Sequence, residues 1–114
     1  MNTAHRVFSS QIISTVGAAA TFVTSQAVRM SGNAATASVT VINVAASPTN
    51  AFQLQGSFDG LVWFDIGSAV NQNAFGVVTQ SATSIAYAFL RLKASISGSS
   101  VTTLFDATIA MSAQ

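Results

Sequence analysis

Residues 52–67 constrain the fold more than any other stretch. Phe52, Leu54 and Gly56 alternate with Gln53, Gln55 and Ser57, a period of two that places one set on each face of a strand. Asp59-Gly60 follows, a dipeptide suited to a tight turn because glycine takes positive φ without a Cβ clash and aspartate tolerates it. Val62, Trp63, Phe64 and Ile66 then read as a returning strand. The spacing predicts a hairpin that gathers Phe52, Phe58, Trp63 and Phe64 into the nucleus of an apolar core, where aromatic rings contribute the largest buried area.

The rest of the chain repeats this grammar. Residues 1–4 read as a short arm and residues 6–14 as a first strand. Two further short strands are expected over 18–24 and 26–30, where Thr21, Val23 and Thr24 weaken the helical preference of Ala18-Ala19-Ala20. Ser31-Gly32-Asn33 is a turn. Residues 36–46 form a strand whose apolar phase slips at Val41-Ile42, the mark of a bulge or of burial on both faces. Ser47-Pro48-Thr49-Asn50 turns the chain again.

Beyond the hairpin, 67–73 reads as loop, 75–79 as a short strand and 80–84 as polar loop. Leu90, Leu92, Ala94 and Ile96 point one way from a strand over 87–96, and Phe89, Arg91, Lys93 and Ser95 the other. A last strand over 102–112 turns Phe105, Ala107, Ile109 and Met111 inward. About seven to nine short strands without a convincing helix predict an all-β fold, an antiparallel β-sandwich or jelly roll. Its boundaries are an arm and first-strand start at 1–10 and a single sandwich domain at 11–114.

Composition narrows the function classes. The chain has 114 residues, enough for one domain with a real core. It has no cysteine, hence no disulfide framework or thiolate metal site. Charged residues make up 6%, against roughly 25% in ordinary soluble domains. The cations are Arg6, Arg29, Arg91 and Lys93, the anions Asp59, Asp65 and Asp106, and glutamate is absent. A net charge of +1 leaves no basic stripe for nucleic acid. Ser, Thr, Asn and Gln interrupt every apolar run before it could span a bilayer, and no clear signal-peptide core follows Arg6. Neither a nucleic-acid nor a membrane partner is expected, and synthesis in a host cytoplasm is. A surface of amides, hydroxyls and methyls suits burial between subunits, where charges would lose hydration for little return.

Each candidate for chemistry has a plainer reading. His5, the single histidine, has no Cys or Glu to complete a metal set and reads as a solvated side chain. Asp59 and Asp65 are close in sequence, as a glycosidase pair must be close in space, but the turn explains Asp59 and a bond to the turn backbone would explain Asp65. A calcium loop at Asp59 would lack carboxylates. No catalytic residue, cofactor or metal is therefore expected. Phe58, Trp63 and Phe64 could stack on a sugar, although Trp63 fits a core position better. Arg91 and Lys93, with Arg29 nearby, form a small basic patch that reads as an edge-strand guard or a partner for Asp106. Phe58, Asp59, Arg91 and Lys93 are the candidate ligand or partner contacts.

The run Gly56-Ser57-Phe58-Asp59-Gly60-Leu61-Val62-Trp63 resembles a Gly-Ser-x-Asp-Gly-x-x-Trp pattern of discoidin-like and related β-sandwich modules, including small structural proteins of tailed bacteriophage virions. Tyr87-Ala88-Phe89-Leu90-Arg91-Leu92-Lys93 is similar to the strand that often follows in those modules. The resemblance covers about residues 50–114 and implies a β-sandwich. Discoidin-like domains commonly carry paired cysteines, which this chain lacks, so the virion branch fits better. The expected function is non-enzymatic: a capsid decoration (cement) protein located in the virion. Its expected partners are itself, as a homo-oligomer such as a trimer, and a major capsid protein. The alternative is a carbohydrate- or receptor-binding module of a tail or fibre.

Overall fold

The computed structural model describes residues 3–17 and 20–113. Ten strands follow one another, β1 (Thr3–Ser14), β2 (Thr21–Thr24), β3 (Val28–Arg29), β4 (Ala34–Ala45), β5 (Thr49–Ser57), β6 (Phe64–Asp65), β7 (Val70–Asn71), β8 (Gly76–Ala82), β9 (Phe89–Ser97) and β10 (Thr102–Ser112). They form two antiparallel sheets packed face to face. One sheet runs β1-β10-β4-β8; the other runs β2-β9-β5-β6, with β3 beside β9 and β7 beside β5. Most connections cross from one sheet to the other, so each sheet is assembled from strands distant in sequence.

Alternation builds the core. Leu90, Leu92, Ala94 and Ile96 of β9 are buried, as are Phe105, Ala107, Ile109 and Met111 of β10, as their spacing predicts. Phe105 sits edge-on to Phe8 of its own sheet, with centroids 5.0 Å apart, and to Phe52 of the facing sheet at 5.3 Å. The phase slip in β4 is a bulge: Leu104 lies opposite Asn43 and Phe105 opposite Val41, leaving Ile42 unmatched and partly exposed.

The first strand is bulged too. Its register against β10 shifts between Arg6 and Phe8 and again between Phe8 and Gln11. Ser10 takes a φ of 47°, and the Asp106 carboxylate accepts its amide N–H. These shifts bury Val7, Phe8 and Ile13 while leaving Ile12 at the surface, which simple alternation could not do. Thr3 and Ala4, where an arm is expected, lie in β1, and the strand expected over 6–14 is its remainder. Met1 and Asn2 fall outside the described residues, as do Ala18 and Ala19, where the second strand is expected to begin.

Of residues 80–84, read as polar loop, the first three instead continue β8 to Ala82. Gln80 is buried and spans the two sheets. Oε1 accepts the Leu54 N–H of β5 at 2.7 Å, and Nε2 donates to the carbonyls of Ile66 at 3.0 Å and Ser68 at 2.6 Å. A second polar tie joins Thr103 of β10 to Asn50 of β5, Oγ1 donating to Oδ1 at 2.8 Å. The Asn50 side-chain amide donates in turn to the Gln72 carbonyl at 3.0 Å. Buried polar groups are tolerable when partnered in this way.

Candidate partner-binding surface

The hairpin expected over 52–67 departs from its sequence reading. Phe52 is core, but Phe58 and Phe64 are 63% and 45% exposed, and the returning strand is only the two-residue β6. Ile66 is the member of that segment that packs against the core. The nucleus is instead Phe8, Phe52 and Phe105.

The turn is built by side chains. The buried hydroxyl of Ser57 accepts the amide N–H of Gly60 at 2.8 Å, and Asp59 Oδ1 accepts those of Leu61 at 2.8 Å and Val62 at 3.1 Å. Gly60 supplies the positive φ of 82°. The amides of Leu61 and Val62 hold the Asp59 carboxyl below its ordinary range. The loop thus favours Asp59 ionised, and the polar atoms of Ser57 and Asp59 are turned toward its own backbone.

That leaves the apolar side chains outside. Leu61 and Val62 are 83% and 57% exposed. Phe58, Phe64 and Tyr87 cluster at this end of the sandwich, Tyr87 lying 4.8 Å from Phe58 and 6.0 Å from Phe64 between ring centroids. Tyr87 lies against Gly56: a Cβ there would collide with the tyrosine ring. Glycine at 56 therefore serves close approach to an aromatic ring.

The other candidate residues lie on the outer face of the second sheet. Asp65, Gln55 and Arg91 occupy facing positions on β6, β5 and β9. Gln55 Nε2 donates to Asp65 at 2.9 Å, and Arg91 Nε donates to Gln55 Oε1 at 2.8 Å. The Arg91 guanidinium covers the Trp63 ring, 4.3 Å from its centroid. Trp63 is therefore half-buried outside the sandwich, not in the core as its sequence neighbours suggest. Lys93 lies over the exposed Phe22 ring at 4.5 Å, and Arg29 sits opposite Phe89 on the same sheet.

Two sequence-based pairings are corrected by this layout. Asp106 belongs to the other sheet and pairs with Arg6 at 3.7 Å, not with Arg91 or Lys93. Asp65 bonds the Gln55 side chain instead of the turn backbone. Phe58 and Asp59 stand at the end of the sandwich and Arg91 and Lys93 on a sheet face, so the four candidates form two neighbouring patches rather than one cleft. His5 is exposed. Among the described residues no three of His, Cys, Asp and Glu converge. A shallow cavity of about 200 Å³ on the first sheet is lined by Ala34, Thr36, Ser81, Thr83 and their neighbours, with no ionisable group.

Sequence reasoning missed Leu61, Val62 and Tyr87 as surface residues and Gln80 as a structural one. The available signal was phase: Gln80 shares its parity with Val78 and Ala82, which face the core side of β8.

No protein-family profile and no curated protein sequence matches the chain. Solved structures do match in fold. XepA, a PBSX exported protein, superposes with a TM-score of 0.65 at 12% identity over 98% of this chain and 37% of its own. The structure of the infectious bursal disease virus Gx strain gives 0.60 at 7% identity over 97% of this chain and 32% of that one. TmCBM61, in complex with β-1,4-galactotriose, gives 0.57 at 9% identity over 88% and 68%. The chain thus spans about a third of the length of the first and second of these. At such identities the likeness is one of architecture: the chain is a two-sheet antiparallel β-sandwich of a kind found in an exported, a viral and a sugar-bound protein.

Proposed function

We propose that this chain is a non-enzymatic structural protein of a virion, a decoration module that stabilises a shell by adhesion. In this reading it associates with copies of itself and seats the 57–64 tip on a major capsid protein. The observation that carries it is the tip: four large apolar side chains, Phe58, Leu61, Val62 and Phe64, exposed on a turn that Ser57 and Asp59 tie down. Exposed apolar patches of this kind favour burial against protein, and a turn ordered in advance loses little entropy on docking. The scarcity of charge makes such attachment only weakly dependent on salt. The fold shared with XepA and the bursal disease virus protein supports the same reading.

A second reading rests on the outer sheet face, where Trp63 lies beside the Asp65-Gln55-Arg91 row. An aromatic ring next to paired polar groups suits a sugar, and the TmCBM61 likeness supports a carbohydrate- or receptor-binding role. Co-sedimentation with shells of the encoding virus separates the two. The tip reading expects binding that changes less than about twofold between low and ~0.5 M salt and disappears in Phe58→Ser/Leu61→Ser with the melting temperature kept. Absence of shell binding, together with glycan-dependent change in Trp63 fluorescence, would replace it with the second reading.

A further inference from the structure

A sandwich of two open sheets has four edges, and three are guarded here. β1 is broken by its register shifts and carries His5 and Arg6. The β2/β3 edge consists of four-residue and two-residue pieces and carries Arg29. The opposite edge of that sheet is split into the two-residue strands β6 and β7. Short, bulged or charged edges are how β proteins avoid pairing with one another.

β8 has none of these features. It runs seven residues, Gly76–Ala82, without proline or charge, pairs with β4 along its whole length, and has no second strand neighbour among the described residues. Its side chains record the open side: the core-facing Val78 and Ala82 are only partly buried, whereas the core-facing apolar residues of the interior strands β9 and β10 are buried. Phe75 and Val77, at its start, are 77% and 62% exposed.

We infer that β8 is the edge by which the chain pairs with a second copy of itself. Antiparallel pairing about a two-fold axis through Thr79 matches the strand over its full length. Thr79 then faces the second copy's Thr79, Val77 faces its Ser81, and Val78 faces its Gln80. Facing residues in an antiparallel pair share a side of the sheet, so this register keeps the core-side residues of both copies on one side and the hydroxyls on the other. The two four-stranded sheets merge into one, the free backbone groups of β8 gain partners, and burial of Val78 and Ala82 is completed. A self-paired edge with no charge meets no repulsion, and a two-fold contact closes at two copies. The inference rests on the self-association part of the function proposed above; shell binding through the 57–64 tip is measured separately.

The test uses the whole chain in sedimentation equilibrium. The native protein is a dimer at ~100 µM. Thr79→Lys and Thr79→Glu each place like charges face to face on the axis, raising the dissociation constant at least about tenfold, with melting temperatures of the separated monomers matching each other. Mixing the two variants one to one restores a dimer containing one of each. A native monomer at that concentration, a trimer, variants that dimerise like the native protein, or a mixture that stays monomeric each overturns the inference, as does a monomer whose β8 edge takes up only a foreign strand. Shell binding that survives in a native monomer separates failure of this inference from failure of the tip reading.

Discussion

Replacing Gln80 by leucine keeps the side chain's approximate volume and removes its hydrogen bonds, so the loss is polar with little cavity term. The Leu54 N–H, in a residue with no exposed surface, loses its acceptor at 2.7 Å. An orphaned buried donor costs about 1–3 kcal/mol. The carbonyl of Ile66 keeps a second donor, Gln53 Nε2 at 2.9 Å, and Ser68 is exposed, so water replaces the bond there. The sum is about 1–3 kcal/mol. For 114 residues the unfolding entropy is about 0.24 kcal/mol/K, and the melting temperature should fall by about 4–12 °C. Thermal and urea denaturation measure this, and amide exchange should show lost protection centred on Leu54. Gln80→Glu keeps the acceptor but turns a carboxylate on two carbonyl oxygens, so it should be at least as destabilising at neutral pH. A fall below about 2 °C for Gln80→Leu, with Leu54 still protected, would refute the assignment of Gln80 as the tie between the sheets.

Gly56→Ala drives a Cβ into the Tyr87 ring. Overpacking of this kind costs about 1–3 kcal/mol, and the near-ultraviolet circular dichroism of the aromatic end should change with it; an unchanged spectrum and melting temperature would contradict the contact. Asp59 has a folded-state pKa below its ordinary value, so the turn is secure above the carboxylate range and loosens as pH falls through the lowered value. Protection of the Leu61 and Val62 amides should therefore decline below about pH 4 and be missing at neutral pH in Asp59→Ala. A flat pH profile would show that the carboxylate does not hold the turn.

Strands β4, β9 and β10 were legible because each has partners on both sides, and an interior strand must alternate strictly to bury one face. The slip at Val41-Ile42 was legible as either a bulge or burial on both faces, and the register against β10 decides for the bulge. The aromatic end was not legible. Its residues have the composition of a core, but β6 pairs with β5 only at Gln55 and Gly56, so Phe58 and Trp63 lie outside the sheet and Phe64 stands exposed on a two-residue edge strand. Composition does not report where a sheet ends. Gln80 escaped because its partner Leu54 is 26 residues away, and a glutamine that stitches sheets together has the same local sequence as one facing water. Phe58, Asp59, Arg91 and Lys93 were singled out while Leu61, Val62 and Tyr87 were not, and the separation of the two patches onto an end and a face followed from register, which single strands do not encode.

The position of β10 has a consequence for how the molecule is made. β10 lies between β1 and β4, so β1 has no neighbour in its sheet until Thr102–Ser112 has been made. Until then β4 has only β8 beside it. Completion of that sheet waits for β10 and then closes the long span from β1, which places folding in the slow, millisecond-to-second regime of β-rich topologies. A truncation before residue 102 would remove the middle of a layer, not its margin.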